Sequence, residues 1–345
     1  MIAPKVLVTG ANGFGGAALC RYLAERGVAV RGMYYTPDGG EPDFSHPNLE
    51  LVPGDLTDGE SLERALDGIE VVHNLAALYR PTNVSKQMYF KVNVDGVKDL
   101  VERAARRRVR RFVHCSTMGI HGTVTNPPGN EESPIRPDDY YQESKHQGEA
   151  VAMGRAKELG LEIVTLRPTA IYGPREHRFL KLARMIASGN SVMFGSGEIH
   201  YHFIHTDDLS RSFELAAEVP AAVGQAYLIG DERPPTLNEI FAIIGDELGQ
   251  PAPRWRLPYG PVYAAAAVCE AVFLPLRPLG LSPPLYRRRV NWFNSERWFD
   301  IGKAKRDLGF QPQVAIEDGL REMVRSFIDA GWLSAPAGGA VSGSA

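Results

Sequence analysis

Cysteine is scarce: Cys20, Cys115 and Cys269 are the only three in 345 residues. They are too few and too far apart for a disulfide framework or a metal-binding pattern, which suits a reducing compartment. Charge of one sign is lacking as well. With 38 Lys and Arg against 41 Asp and Glu, the formal net charge is −3, so no basic field advertises nucleic-acid binding. The chain passes directly into a strand-like Lys5 to Thr9, which leaves no room for a signal peptide. A spanning helix needs roughly 20 apolar residues. The one extended apolar stretch, Leu257 to Leu281, is interrupted by Glu270 and Pro275. It reads either as a buried or pocket-lining helix, or as an interfacial helix over 259–281 that dips into a bilayer to collect a lipid-like substrate. What remains is the composition of an ordinary soluble enzyme, 44% hydrophobic and 23% charged. The length suits one large domain with a smaller lobe.

Short apolar runs alternate with amphipathic stretches over the first half. Lys5 to Thr9, Val28 to Tyr34, Leu49 to Val52, Val71 to Asn74, Phe112 to Cys115 and Glu162 to Leu166 read as strands. Ala17 to Arg26, closed by Gly27, and Val92 to Arg108 read as helices. Such β-α repeats predict an α/β fold: a Rossmann-like, doubly wound parallel sheet with ligands at the carboxyl ends of its strands. After Pro174 the pattern turns to helices and irregular segments, broken by a strand-like Ala226 to Ile229. This predicts a smaller, mostly helical C-terminal substrate lobe. Residues 1–174, with 203–230 returning to them, make the dinucleotide-binding domain; 175–202 and 231–333 make the lobe. Residues 334–345, rich in Gly, Ala and Ser, have little to bury and are expected to be disordered. Arg106 to Arg108, with Arg110 and Arg111, are expected to form a solvated face.

Thr9-Gly10-Ala11-Asn12-Gly13-Phe14-Gly15-Gly16 lies between the first strand and the first helix, where a dinucleotide turn belongs. Gly10 permits the tight turn, Gly13 lets backbone approach a pyrophosphate, and Gly16 allows helix to pack on strand. The helix N-terminus then faces the phosphates. Downstream, Tyr141 and Lys145 stand one helical turn apart. A phenol is a poor base because its ordinary pKa is about 10. A nearby ammonium and the positive charge of an oxidised nicotinamide favour the phenolate. Such a tyrosine takes the proton from a secondary alcohol while hydride leaves its carbon, or returns it to a ketone. Tyr-x-x-x-Lys is common by chance; its weight here comes from the glycine turn upstream.

Further segments share that order. The turn has the spacing Thr-Gly-x-x-Gly-x-x-Gly, followed by Gly54-Asp55-Leu56, Asn74-Leu75-Ala76-Ala77, Asn93 and Arg167 to Pro174. In order and spacing these resemble the extended short-chain dehydrogenase/reductase family, of the NAD-dependent epimerase/dehydratase type, from Lys5 to about Leu333. The resemblance implies that Asp55 and Leu56 contact the adenine, Ala76 lies beneath the cofactor, and Pro168 flanks the nicotinamide. With Gly10, Asn12, Gly13, Phe14, Gly16, Tyr34, Asn93 and Lys145 these complete the expected cofactor-binding set. It also implies that Thr117 is the third catalytic member beside Tyr141 and Lys145, with Ser116 structural or cofactor-facing. Met33-Tyr34-Tyr35-Thr36, ending the second strand, offers neither the acidic residue of an NAD site nor the arginine of an NADP site. The dinucleotide, NAD(P), stays open on that point. By analogy the chain is a homodimer through helices at 92–108 and 141–159.

Absences bear on the substrate. Relatives that dehydrate nucleotide sugars carry Asp-Glu after the catalytic threonine; Met118 and Gly119 here cannot do acid–base work. Tyr201 stands where nucleotide-sugar enzymes often place an arginine used on the diphosphate, two residues before Phe203. Arg288 or Arg289 is a candidate for a phosphate contact, or part of a surface basic patch. Leu257-Pro258-Tyr259, the apolar run, Arg289-Val290, Trp298-Phe299 and Lys303 to Pro312 are similar to the 3β-hydroxysteroid and sterol-4-carboxylate dehydrogenase branch. The expected function is therefore NAD(P)-dependent hydride transfer to or from a secondary alcohol or ketone of an apolar, sterol-like or polycyclic small molecule. No metal site and no nucleic acid are expected, and the place is the cytoplasm or the inner face of a membrane. The alternative is a UDP-sugar 4-epimerase that retains its NAD. A redox-silent dinucleotide sensor is a third reading, against which Thr117, Tyr141 and Lys145 argue.

Overall fold

A computed structural model describes residues 5–38, 40–79, 84–275, 281 and 283–335. Its strands are, in chain order, β1 (Val6–Thr9), β2 (Val30–Tyr34), β3 (Leu49–Pro53), β4 (Val71–Asn74), β5 (Arg111–Cys115) and β6 (Glu162–Pro168). Then come β7 (Ala170–Tyr172), β8 (Val192–Phe194), β9 (Phe203–His205), β10 (Ala226–Ile229) and β11 (Trp255–Leu257). The helices of the first half are α1 (Phe14–Glu25), α2 (Gly59–Ala65), α3 (Lys86–Phe90), α4 (Val97–Arg106) and α5 (Tyr140–Leu159). The second half carries α6 (His177–Ala187), α7 (Thr206–Glu218), α8 (Leu237–Glu247), α9 (Tyr259–Phe273), α10 (Arg287–Asn291), α11 (Gly302–Leu308) and α12 (Ile316–Asp329).

Seven strands form one parallel sheet in the order β3-β2-β1-β4-β5-β6-β10. Successive side chains of a strand point to opposite faces, and the two apolar cores follow that alternation. Val8, Val113 and Val164 join α1, α7 and α11 on one face through Leu19, Leu23, Phe213 and Leu308. Leu7, Phe112 and Ile163 join α2, α4 and α5 on the other through Leu62, Leu100 and Ala152. Strand order reverses between β1 and β4, so a crevice opens outside their carboxyl ends. A third core joins α6, α8 and α12 through Ile186, Phe241 and Phe327, beneath Tyr172 and Phe203. The Rossmann-like sheet and the mostly helical remainder match the fold expected from the sequence.

The differences have local causes. The helix expected over 92–108 starts earlier, at α3, and passes through a π-helical turn, Lys91–Gly96, before α4. That turn buries Asn93, whose side chain accepts from the Leu78 N–H (2.8 Å) and donates to its carbonyl (3.2 Å). Arg111, expected on a solvated face, is buried. It pairs with Glu162 at 2.9 Å and donates to the carbonyls of Ala216 and Val219 at the end of α7, where a cation suits the helix dipole. Strand pairs β7–β9 and β8–β11 were not expected; three residues are too few to display a period.

Over its described part, the apolar stretch does not form a buried helix, one half of the buried or pocket-lining reading. Along α9 only Ala266 is buried, while Val268 is 64% and Val272 58% exposed. Among the described residues no helix is long and apolar enough to cross a membrane. The part of that stretch at 276–280 and the tail from residue 336 lie outside the described residues.

Candidate active site

β1 ends at Thr9, and the chain turns on Gly10 with φ +77°, a left-handed conformation open to glycine. The N–H groups of Gly10 and Ala11 both donate to the Met33 carbonyl (2.8 and 2.9 Å), tying the turn to β2. A Cβ at position 16 would lie 2.0 Å from the Gly10 oxygen, so the first turn of α1 packs against the loop only with glycine there. Gly13 caps α1 with no side-chain hydrogen bond, which leaves the first N–H groups of the helix for a ligand. Behind the turn, Thr9 Oγ1 donates to Asn74 Oδ1 (2.7 Å) and accepts from the Ala76 N–H (3.1 Å). Asn74 Nδ2 lies 3.2 Å from His114 Nδ1, so one buried network joins the carboxyl ends of β1, β4 and β5.

β5 ends at Cys115, and Thr117 opens the turn that follows by accepting the Gly119 N–H at 3.1 Å. Helix α5 begins at Tyr140 because Asp139 accepts the Gln142 N–H at 2.9 Å. Ser144 then links the helix to the π-turn, accepting from Asn93 Nδ2 at 2.9 Å and donating to the Tyr141 carbonyl at 2.8 Å. Gly148 lets the two elements touch, since a Cβ there would lie 2.0 Å from the Asn93 oxygen. Tyr141 meets the ring of Tyr79 edge-on, with centroids 4.9 Å apart. Lys145, buried one turn later, donates its ammonium to the Cys115 carbonyl. Loss of solvent pushes its pKa below the usual lysine value.

A cleft of about 410 Å³ brings together Gly10, Gly13, Phe14, Gly16, Thr117, Tyr141, Lys145 and Pro168. The other expected site residues do not line it. Asn12 clamps the turn to the end of β2, exchanging hydrogen bonds with the backbone of Tyr35 (2.9 and 3.3 Å). Tyr34 packs against the core at the end of that strand. Asp55 accepts the Thr57 N–H at 2.8 Å, Leu56 is buried beneath Gly96, and Ala76 abuts Gly10. Asn93 holds the π-turn. Arg288 and Arg289 are not in the wall either; Arg288 is exposed and pairs with Asp139 at 3.2 Å. Sequence reasoning missed Thr169, Glu176, Arg178 and Arg297 as lining residues. Thr169 had a signal, since it follows Pro168 in a segment already singled out.

A dinucleotide fits this chemistry on three counts. The turn brings Gly10, Gly13, Gly15 and Gly16 to the cleft wall, where no side chain keeps a pyrophosphate from their backbone; the N-terminal end of α1 has no side-chain cap; and two buried cleft hydroxyls, Ser116 and Thr169, have no hydrogen-bond partner among the described residues.

Comparison with known proteins agrees. The model of the NAD dependent epimerase/dehydratase family matches residues 6–230. A 3-beta-hydroxysteroid dehydrogenase of Mycolicibacterium neoaurum is 32% identical over 341 residues, which cover 94% of this chain and 92% of that one. A 2-alkyl-3-oxoalkanoate reductase of Stenotrophomonas maltophilia is 29% identical over 336 residues, covering 93% and 99%. The crystal structure of a dTDP-glucose 4,6-dehydratase from Streptomyces venezuelae, with NAD bound, superposes with a TM-score of 0.76 at 26% identity, over 96% and 99% of the two chains. The chain thus belongs to the NAD-dependent epimerase/dehydratase family of extended short-chain dehydrogenases/reductases, near its 3β-hydroxysteroid dehydrogenase branch, and is an NAD(P)-dependent oxidoreductase.

Proposed function

We propose that the chain moves hydride to or from the carbon of a secondary alcohol or ketone in an apolar, sterol-like or polycyclic substrate, with Tyr141 as general acid/base. The observation that carries this is the meeting of Thr117, Tyr141 and Lys145 with the glycine turn in one cleft. The bound nicotinamide supplies the hydride chemistry. In oxidation Tyr141 would take the hydroxyl proton as the carbinol carbon gives up hydride to the nicotinamide, and in reduction it would return a proton to the carbonyl oxygen. Thr117 hydrogen-bonds the same oxygen and holds it against the phenol. Lys145 favours the phenolate by its charge and binds the nicotinamide ribose. Phe14, Leu75, Tyr79, Met118 and Ile171 give the cleft apolar walls. The two relatives' names, a steroid alcohol and an alkyl oxo acid, share an apolar body bearing a secondary alcohol or ketone.

Residues 1–174 with 203–230 hold the dinucleotide, and 175–202 with 231–333 shape the substrate side. The pairing of β10 with β6 and the separate core around α6, α8 and α12 support that division. We assign Asn12, Tyr34, Asp55, Leu56, Ala76 and Asn93 to shaping the dinucleotide site from behind its wall. Exposed apolar residues on α9 favour peripheral contact of 259–281 with a membrane, from the cytoplasmic side. The partner is a second copy, through 92–108 and 141–159.

The test is turnover read as nicotinamide absorbance with 3β-hydroxysteroids and other apolar secondary alcohols. Absorbance that stays flat while a UDP-sugar is epimerised would replace the proposal with a 4-epimerase.

A further inference from the structure

Position 201 carries no cation of its own, yet one is placed over it from far along the chain. The segment 296–298 threads between two others. Val124 donates to the Glu296 carbonyl (3.0 Å) and Gly129 to that of Trp298 (2.8 Å) on one side. On the other, Arg297 N–H donates to the His200 carbonyl (3.1 Å), and the Arg297 carbonyl accepts from His202 (3.0 Å). The Arg297 backbone is therefore clamped from both edges. Its guanidinium carbon sits 5.5 Å from the centroid of the Tyr201 ring, and both residues line the cleft. Its Nε is buried with no hydrogen-bond partner among the described residues.

The other cations of the wall are committed. Arg178 pairs with Glu176 at 2.7 Å and donates to the Ile171 carbonyl (2.8 Å) and to the Tyr79 hydroxyl, so that pair adds no net charge. Lys145 is held by the Cys115 carbonyl beside Tyr141. Among the described residues of the wall, Arg297 is left as the arginine with no carboxylate in ion-pairing reach. An unpaired donor in a partly desolvated cleft is costly unless a ligand meets it. A guanidinium matches the fork of a carboxylate. A diphosphate would call for further cations, and among the described residues of the wall Arg178 is already paired with Glu176 and Lys145 stands at Tyr141, while a neutral sterol offers Arg297 nothing.

We propose that Arg297 receives a carboxylate on the substrate, so that the apolar molecule turned over is a hydroxy or oxo acid. This rests on reading Thr117 and Tyr141 as the reacting end of the same cleft. Arg297 is then a specificity residue: it fixes the acid group while the apolar walls hold the body.

The test uses the full chain loaded with NADH, which cannot take hydride from an alcohol, and two hydroxy probes, 2-butyl-3-hydroxyoctanoic acid and its methyl ester, with binding read by calorimetry. Wild type should prefer the acid by about tenfold or more. Arg297→Gln should weaken acid binding by about tenfold to a hundredfold, the range for a hydrogen bond to a charged group. It should leave ester binding in place, which also shows that the variant is folded. Arg297→Lys should recover part of the preference. Equal binding of acid and ester by wild type would overturn the proposal, as would acid binding untouched by Arg297→Gln. UDP-glucose binding more tightly than the acid, and losing that binding in Arg297→Gln, would overturn it in favour of a diphosphate receptor. Because these readouts are equilibrium binding, they stand apart from Tyr141: normal turnover in Tyr141→Phe would sink the acid–base assignment and leave the acid–ester difference to report on Arg297.

Discussion

Lys145 and Cys115, 30 residues apart, are joined by a hydrogen bond from the lysine ammonium to the cysteine carbonyl. The bond locks the second turn of α5 against the carboxyl end of β5, and so sets where Tyr141 stands relative to Thr117. It also spends one of the three ammonium donors, leaving two. Lys145→Met should lower kcat by about a hundredfold or more, the scale of a lost general acid/base contribution. Lys145→Arg should not rescue it, because a planar fork does not fit a buried site built for a point charge. Steady-state turnover at saturating dinucleotide checks both.

Gly16 is constrained from the opposite side of the cleft. A methyl at that position would fall 2.0 Å from the Gly10 oxygen, so Gly16→Ala must push α1 off the turn. Overpacking of this kind costs about 1–3 kcal/mol. The variant should lose stability on that scale and bind dinucleotide at least tenfold more weakly by fluorescence titration. Gly27→Ala is a control with a different cause: nothing crowds a Cβ there, and only its φ of +82° is strained. It should cost stability while sparing dinucleotide affinity.

Much of this was legible in the sequence for a physical reason. Strands such as β1 and β5 sit between helices, so their runs of Val, Leu and Phe mark buried sheet, and the glycine turn is a local feature with a local cause. Tyr141 and Lys145 share one helix, so their spacing, read together with the glycine turn upstream, paired them. Arg297 could not be found that way. It reaches the cleft because 296–298 pairs with 200–202, nearly a hundred residues earlier, and nothing in either segment announces the partner. Arg288 and Arg289 were candidates by resemblance to a C-terminal arginine of sugar epimerases, yet they stand on α10 outside the wall. The run along α9 was ambiguous because an alanine-rich stretch without a polar stripe does not say which side is covered.

Asp231 is a second buried group with a readable consequence. Its carboxyl is nearly inaccessible; burial, and then the charge of Asp208, push its pKa well above the ordinary carboxylate value. The folded state therefore holds this proton more tightly than the unfolded chain does. The group's favourable contribution is complete below the unfolded pKa of about 3.8 and is lost as pH rises through the folded value. Asp231→Asn should raise Tm by about 2 °C or more at mildly alkaline pH. The gain should vanish on acidification below the ordinary carboxylate range. Thermal unfolding of both proteins across pH measures the crossover, and a gain independent of pH would contradict the assignment.

We assign to Tyr141 the movement of the substrate proton, in a cleft that binds dinucleotide independently of that phenol. The most direct test is Tyr141→Phe, with kcat and dinucleotide Kd measured on the same preparation. The expected result is a fall in kcat of about a hundredfold to ten-thousandfold with the dinucleotide Kd essentially unchanged. Turnover near the wild-type rate, with dinucleotide still bound, would contradict it.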